Sequence, residues 1–219
     1  MMSLPVMMNV LVVNSARERL WFTYGRTVAK RALVICTANV CRSPVVEGLL
    51  RLALDGAVDT DGDAWVVSSA GTAEIEPSVD RFTVAAAARA GVDVSEHRRR
   101  TLTGDLLGTD GADLILTMTR AHLRHVAVLD PSAWTRTFTL LELARRASAS
   151  APAGDDEPFA AWLGRMGAHR RASDLMQPDL SDDVADPYGG PASEHDAMVE
   201  QVVAAVTTLV RNGPWRLNG

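Results

Sequence analysis

A cysteine and an arginine, with five residues between them, bracket a short segment near the start of the sequence. Cys36 ends a β-branched apolar run, and Arg42 precedes Ser43 and Pro44, where an apolar helical pattern begins. When a strand, a loop and a helix follow in this order, main-chain N–H groups and the positive end of the helix dipole point towards one place. This is a common way in which proteins bind an anion. The segment predicts a phosphate-binding loop made of Thr37, Ala38, Asn39, Val40, Cys41 and Arg42.

The residue types in this loop suit attack on phosphorus. The thiolate is the reactive form of cysteine, and helix N-termini and nearby cations favour it, so Cys36 is the candidate nucleophile. Arg42 offers a planar fork that binds two phosphate oxygens at once. Asn39 tolerates a left-handed backbone that helps a loop to curl, and Ser43 and Pro44 are favourable N-cap and first helical residues. On spacing alone, Cys36 could also be a small core residue.

The string from Cys36 to Pro44 resembles the signature of the bacterial low-molecular-weight protein tyrosine phosphatases, Cys-x-x-Asn-x-Cys-Arg-Ser. The likeness extends over nearly all of residues 31–211. It implies a metal-free, cysteine-dependent hydrolysis of phosphate monoesters, with protein phosphotyrosine as the expected substrate and no cofactor. Cys36 would attack phosphorus and form a phosphocysteine, while Arg42 and the loop N–H groups would stabilise charge on the equatorial oxygens.

A second segment, Asp186-Pro187-Tyr188-Gly189, lies just before the last predicted helix, where the family carries its general-acid loop. The resemblance makes Asp186 the expected proton donor to the leaving oxygen and the base for water in the second step. Tyr188 would either flank the substrate or pack on the rim as a turn aromatic. Both are therefore site predictions that depend on the cysteine loop upstream.

Three further residues are predicted to support the phosphate loop. Ser43 belongs to the signature itself, and Ser69 and His97 fall in segments that resemble the family's bracing serine and histidine. The alternative for His97 is that it belongs to a solvated charged run over 97–100.

Some positions depart from the usual family pattern. Ala38 stands where glycine is usual, so the loop must accommodate a methyl group or adopt a backbone angle that alanine permits. Gly189 replaces a frequent second tyrosine, and residues 73–76 lack the aromatic that often walls the pocket. Phosphatase activity is thus better supported than a preference for phosphotyrosine.

Outside these motifs, short β-branched runs alternate with longer helical patterns, which is typical of a parallel sheet covered on both faces. We expect an α/β fold of three layers, with a four-stranded parallel sheet, helices on both faces and the phosphate loop after the first strand. Gly91 is placed to end the second helix. The predicted strands are 32–35, 65–69, 113–117 and 136–140, and the predicted helices are 44–54, 79–90, 120–129, 141–147 and 193–211.

The predicted domain organisation is an N-terminal extension of uncertain structure, 1–30, followed by a single domain, 31–219. An insertion is expected at about 148–183, where the composition shifts to Ala, Ser, Pro, Gly and Asp. It contains a helical pattern over 158–171, whose apolar face either packs on the domain's own core or lies near the phosphate loop as a pocket wall. That face consists of Phe159, Trp162, Leu163 and Met166.

Composition and charge exclude several function classes. A net charge of -5 argues against general nucleic-acid binding. No stretch approaches the roughly 18 apolar residues of a membrane span, and two nearby cysteines make no disulfide framework, so a cytoplasmic protein is expected. We do not predict that His122 and His125 bind zinc. The expected partners are a phosphotyrosine protein or a small aryl phosphate, with a cognate tyrosine kinase as a further candidate.

Other functions fit the same scaffold. Arsenate reductases coupled to thioredoxin resemble it, but they require further cysteines, and this sequence has only Cys36 and Cys41. A silent phosphoprotein-binding module would be expected to lose the nucleophile or the acid, whereas both are present. Phosphoarginine hydrolysis belongs to a branch with threonine in place of Val40. Cys41 either packs the loop or forms a protective disulfide with Cys36 under oxidation.

Overall fold

The computed structural model describes residues 29–74, 78–108, 111–176 and 180–216, without the side chains of 175 and 176. The predicted N-terminal extension, up to residue 28, lies outside the described residues. The single-domain boundary at 31–219 therefore stays a prediction. Among the described helices, none is long and apolar enough to cross a membrane.

One four-stranded sheet forms the centre of the fold. Its strands are Lys30–Cys36 (β1), Trp65–Gly71 (β2), Leu114–Thr117 (β3) and Thr137–Thr139 (β4), in the order β2-β1-β3-β4. Every pairing in it is parallel, and Ile35 of β1 lies opposite Ala70 on one side and Thr117 on the other. The predicted four-stranded parallel sheet is confirmed.

Helices cover both faces of this sheet, as expected from strands that are apolar on both sides. They are Arg42–Ala53 (α1), Arg81–Arg89 (α2), Arg120–Leu129 (α3), Leu140–Ala149 (α4), Phe159–Met166 (α5) and Ala192–Asn212 (α6). Because successive strand residues point to opposite faces, Val34 belongs to the core cluster under α1, α2 and α6, whereas Leu33 and Ile35 pack with Val126 of α3. The three-layer α/β prediction is confirmed.

Local sequence preferences predict the end of α2 correctly but not the start of α1. Gly91 has a φ of +80° directly after α2, as predicted for a helix-ending glycine. The prediction that Ser43 is the N-cap of α1 is wrong. The helix begins at Arg42 after Cys41, without a side-chain cap, because the Ser43 hydroxyl is used inside the phosphate loop.

The helix of the insertion packs on the core. In α5, Trp162 is 0% exposed, and the Phe159 ring lies 4.8 Å from the ring of Trp65. Trp65 begins β2, whereas Gly71 at its other end contacts the phosphate loop, and seven residues of strand span about 20 Å. The alternative of a pocket wall is therefore wrong, and the helix is also shorter than the predicted 158–171.

Candidate active site

The phosphate loop, residues 36–42, turns tightly around the sulfur of Cys36. The Asn39 N–H donates to Cys36 Sγ at 3.2 Å, and Ser43 Oγ lies 3.0 Å from the same sulfur. Asn39 has a φ of 58°, the left-handed conformation expected of it, while Ala38 does not adopt a positive φ. The loop thus accommodates the alanine methyl group without left-handed strain at that residue.

Several donors of this loop are left available for an anion. Within the described ranges, the N–H groups of Ala38, Val40 and Cys41 donate to no protein acceptor. They precede the N-terminus of α1, whose first N–H groups carry the positive end of the helix dipole. Cys36 lies at the start of this array of donors. The arrangement suits an anion held against the sulfur.

Arg42 has a buried guanidinium, with the residue only 3% exposed. Its Nη2 donates to Asp186 Oδ2 at 2.5 Å and to Thr37 Oγ1 at 3.0 Å, and its Nη1 donates to the Val184 carbonyl at 3.3 Å. Its Nε is buried and has no partner among the described residues. A buried donor normally has an acceptor, so the unpartnered Nε indicates that this edge of the guanidinium can bind an oxyanion ligand.

Asn39 is the centre of the network that shapes the loop. Its Nδ2 donates to Ser43 Oγ at 2.9 Å and to Ser69 Oγ at 2.7 Å. Its Oδ1 accepts from the N–H of Arg100 at 2.8 Å, and His97 Nε2 lies 3.1 Å from its carbonyl oxygen. The structure therefore brings all three predicted supports, Ser43, Ser69 and His97, onto one residue of the loop.

Glu47 lies beneath this network and was not anticipated from the sequence. Ser69 Oγ donates to Glu47 Oε2, and Arg51 pairs with its other oxygen at 2.5 Å. His97 Nδ1 is 4.0 Å from the carboxylate; burial lowers the pKa of His97, and Glu47 opposes that shift. A buried carboxylate is costly unless it is paired in this way. The available signal was a charged residue within the buried apolar face of α1.

Gly71 was also missed, although it lies in the Ser-Ser-Ala-Gly segment. A Cβ at this position would be 2.7 Å from the Thr37 carbonyl oxygen and 3.0 Å from the carbonyl carbon of Ala38. The next N–H groups bond back to the loop, with Thr72 donating to the Cys36 carbonyl at 3.0 Å. The end of β2 therefore packs directly against the main chain of the phosphate loop.

The acid loop, residues 182–189, is anchored against the end of β3. The Val184 N–H donates to the Met118 carbonyl at 2.8 Å, and the Arg120 N–H donates to Asp183 Oδ1 at 2.7 Å. The carboxylate of Asp186 is 46% exposed and faces Arg42. Tyr188 is 55% exposed at the rim, a position that fits both roles predicted for it.

Two further groups touch the loop. Cys41 is buried, and its burial raises the pKa of the thiol to about 11, although a hydrogen bond with Thr83 opposes the shift. This favours a packing role for a protonated thiol. On the opposite side, His122 Nε2 lies 3.0 Å from Thr37 Oγ1. Sequence reasoning gave no sign of that contact, because the two residues are 85 positions apart.

The fold and this loop define an α/β protein with a buried cysteine at the start of a loop suited to an anion, and comparison with known proteins identifies its family. The family model of the low molecular weight phosphotyrosine protein phosphatases matches residues 31–159. The probable low molecular weight protein-tyrosine-phosphatase EpsP of Ralstonia solanacearum is 39% identical over 115 residues, which cover 52% of this chain and 72% of that protein. The chain belongs to the low-molecular-weight protein tyrosine phosphatase family, whose members are phosphoric monoester hydrolases.

Solved structures agree with this assignment. The low molecular weight protein tyrosine phosphatase from T. tengcongensis is 26% identical with a TM-score of 0.58, over 83% of this chain and 98% of that one. The YwlE arginine phosphatase from Geobacillus stearothermophilus shares the fold at 24% identity, with a TM-score of 0.57 over 83% of this chain and 90% of that one.

Proposed function

We propose that this protein hydrolyses aryl phosphate monoesters, with phosphotyrosine in proteins as the main substrate class, through a phosphocysteine on Cys36. The observation that carries the proposal is the buried guanidinium of Arg42, whose Nε has no partner among the described residues while its Nη2 holds Asp186. The Arg42 guanidinium thus contacts the candidate acid and still has a donor for a bound oxyanion. The relatives named as tyrosine phosphatases support the choice of substrate.

In the first step, the thiolate of Cys36 attacks phosphorus and the bond to the leaving oxygen breaks. Asp186 gives its proton to that oxygen, so the alcohol or phenol leaves neutral. Arg42 and the loop N–H groups stabilise the charge that develops on the equatorial oxygens. The products of this step are the dephosphorylated substrate and a phosphocysteine.

In the second step, the Asp186 carboxylate takes a proton from water, the resulting nucleophile attacks phosphorus, and the P–S bond breaks. Ser43 Oγ, 3.0 Å from Cys36 Sγ, can donate to the departing thiolate. Inorganic phosphate is released and the starting protonation states are restored. No step requires a metal ion or an external reductant.

Substrate access requires Asp186 to move away from Nη2 of Arg42. Its carboxylate is nearly half exposed whereas the Arg42 guanidinium is buried, so the exchange is feasible because phosphate replaces the carboxylate as the partner of the buried charge. A phosphate bound through Nε and Nη2 would then leave Asp186 next to the leaving oxygen. A cognate tyrosine kinase as a partner stays a prediction from the sequence.

The decisive experiment compares turnover of a phosphotyrosine peptide, p-nitrophenyl phosphate, phosphoarginine and arsenate, with and without chelator. We expect hydrolysis of the first two, insensitivity to chelator and a phosphorylated Cys36 peptide in mass spectra of acid-quenched enzyme. Asp156→Asn, on the surface, is the matched control. Preferred turnover of phosphoarginine, reduction of arsenate, or turnover without label on Cys36 would contradict the proposal.

A further inference from the structure

His122 is a buried titratable residue that the mechanism above does not use. It is the third residue of α3 and only 6% exposed. Both ring nitrogens are engaged, because Nε2 lies 3.0 Å from Thr37 Oγ1 and Nδ1 lies 2.8 Å from Thr119 Oγ1. Thr119 is the N-cap of α3 and follows the end of β3. The imidazole therefore connects the carboxyl end of β3 to the start of the phosphate loop.

We propose that His122 is a positioning residue for Arg42 and acts through the hydroxyl of Thr37. The inference rests on the proposed phosphatase function and deepens it. In this proposal the orientation in which Arg42 binds an oxyanion is set by a residue on α3, outside both the phosphate loop and the acid loop.

The direction of the hydrogen bonds supports this role. Arginine has only donors, so Thr37 Oγ1 must accept from Arg42 Nη2 at 3.0 Å. The same hydroxyl can form a further hydrogen bond with His122 Nε2. Contacts with both Arg42 and His122 fix the position of the Thr37 hydroxyl, which is the acceptor for Nη2. Because the guanidinium is planar, fixing Nη2 and Nη1 also fixes where Nε points.

The surroundings favour an uncharged imidazole at this place. Burial, assisted by the positive charge of Arg42, lowers the pKa of His122 to about 3. A neutral ring can donate through one nitrogen and accept through the other, and each of the two threonine hydroxyls can serve either role. A cationic ring would stand close to the guanidinium that must bind phosphate.

Two amide substitutions separate the contacts of the ring. Glutamine places its terminal amide near the position of Nε2 and can keep the bond to Thr37, whereas asparagine reaches only the position of Nδ1 and Thr119. We expect His122→Asn to lower kcat/KM for p-nitrophenyl phosphate about ten-fold, the effect of one lost positioning hydrogen bond, and His122→Gln to restore most of it. His125→Asn, on the exposed side of the same helix, should behave as wild type.

Affinity for inorganic phosphate, measured by calorimetry, gives a readout that does not depend on turnover. We expect it to weaken about ten-fold in His122→Asn and little in His122→Gln. If wild type binds phosphate but hydrolyses nothing, the proposed function fails while the positioning role can still be judged from binding. Equal phosphate affinity and kcat/KM in His122→Asn and wild type would overturn the inference, as would a glutamine variant as impaired as the asparagine variant.

A double-substitution cycle tests the route through the hydroxyl. Thr37→Val removes the hydroxyl that His122 contacts. In that background, His122→Asn should cause no further loss of phosphate affinity, because the link is already broken. Additive losses would show that His122 acts by another route and would overturn the inference.

Discussion

Arg42 donates through Nη2 to Asp186 Oδ2 at 2.5 Å, although 144 positions separate the two residues in the sequence. The contact joins the phosphate loop to the acid loop. Removing the carboxylate charge should therefore affect both proton transfer and oxyanion binding.

Asp186→Asn should lower kcat for a phosphotyrosine peptide about 100-fold or more, because its leaving oxygen needs a proton. The loss should be smaller for an activated aryl phosphate that leaves without one. Affinity for inorganic phosphate should be kept or rise, since no carboxylate competes for Arg42. Parallel loss on both substrates would show that another acid acts or that Asp186 is structural.

Arg42→Lys should be severely impaired despite keeping its charge. A lysine ammonium cannot replace three separate contacts to Asp186, Thr37 and Val184 and still present a second donor to phosphate. Steady-state kinetics and phosphate calorimetry give the measurement, with Cys36→Ser as the comparison that should lose turnover but keep phosphate binding. Near-normal kcat/KM in the lysine variant would refute the assignment of the loop.

Gly71→Ala should disrupt the phosphate loop. The added methyl would lie 2.7 Å from the Thr37 carbonyl oxygen, so main chain must shift, at a cost of about 1–3 kcal/mol in the free energy of unfolding. We expect loss of phosphate binding beyond the loss of stability. Gly104→Ala is the matched control, because a methyl group there would have no atom within 4 Å and the φ of Gly104 is not positive. Equal behaviour of the two variants would exclude the close contact.

Stability should fall as the pH falls below neutrality, in part because of His122. Its pKa is lowered from 6.5 to about 3 in the folded protein, so the unfolded chain binds a proton first. Between pH 7 and pH 5 this linkage removes about 2 kcal/mol of unfolding free energy. The loss continues down to the folded pKa. Urea titrations across this range should show a weaker pH dependence for His122→Gln, and an unchanged slope would mean that the histidine titrates normally.

Trp162→Ala should destabilise the protein by about 3–5 kcal/mol without changing specificity, because the ring is fully buried against the core and far from the phosphate loop. Thermal unfolding and KM values for the peptide and for p-nitrophenyl phosphate give the measurement, at a temperature where the variant is folded. A selective rise in KM for the peptide would restore the idea that the insertion contacts substrate.

Local sequence was enough to predict the parts of the site that depend on neighbouring residues. The order of strand, loop and helix, the left-handed turn at Asn39 and the helix end at Gly91 follow from local backbone preferences, which act within a few residues. The alternation of short β-branched runs with longer helical patterns likewise predicted a parallel sheet covered on both faces. Short-range rules failed at Ser43, because a sulfur and an amide within the loop compete for its hydroxyl.

Tertiary structure alone decided which distant groups meet at the loop. Periodicity shows that Phe159 and Trp162 share a helical face, but it does not say whether that face meets the core or the substrate. Partners such as Thr37 and His122, or Ser69 and Glu47, come from different elements. Their contact depends on how the sheet and helices pack over the whole chain. The sequence does not show which partner a buried polar group will have, because that partner is selected by proximity in space.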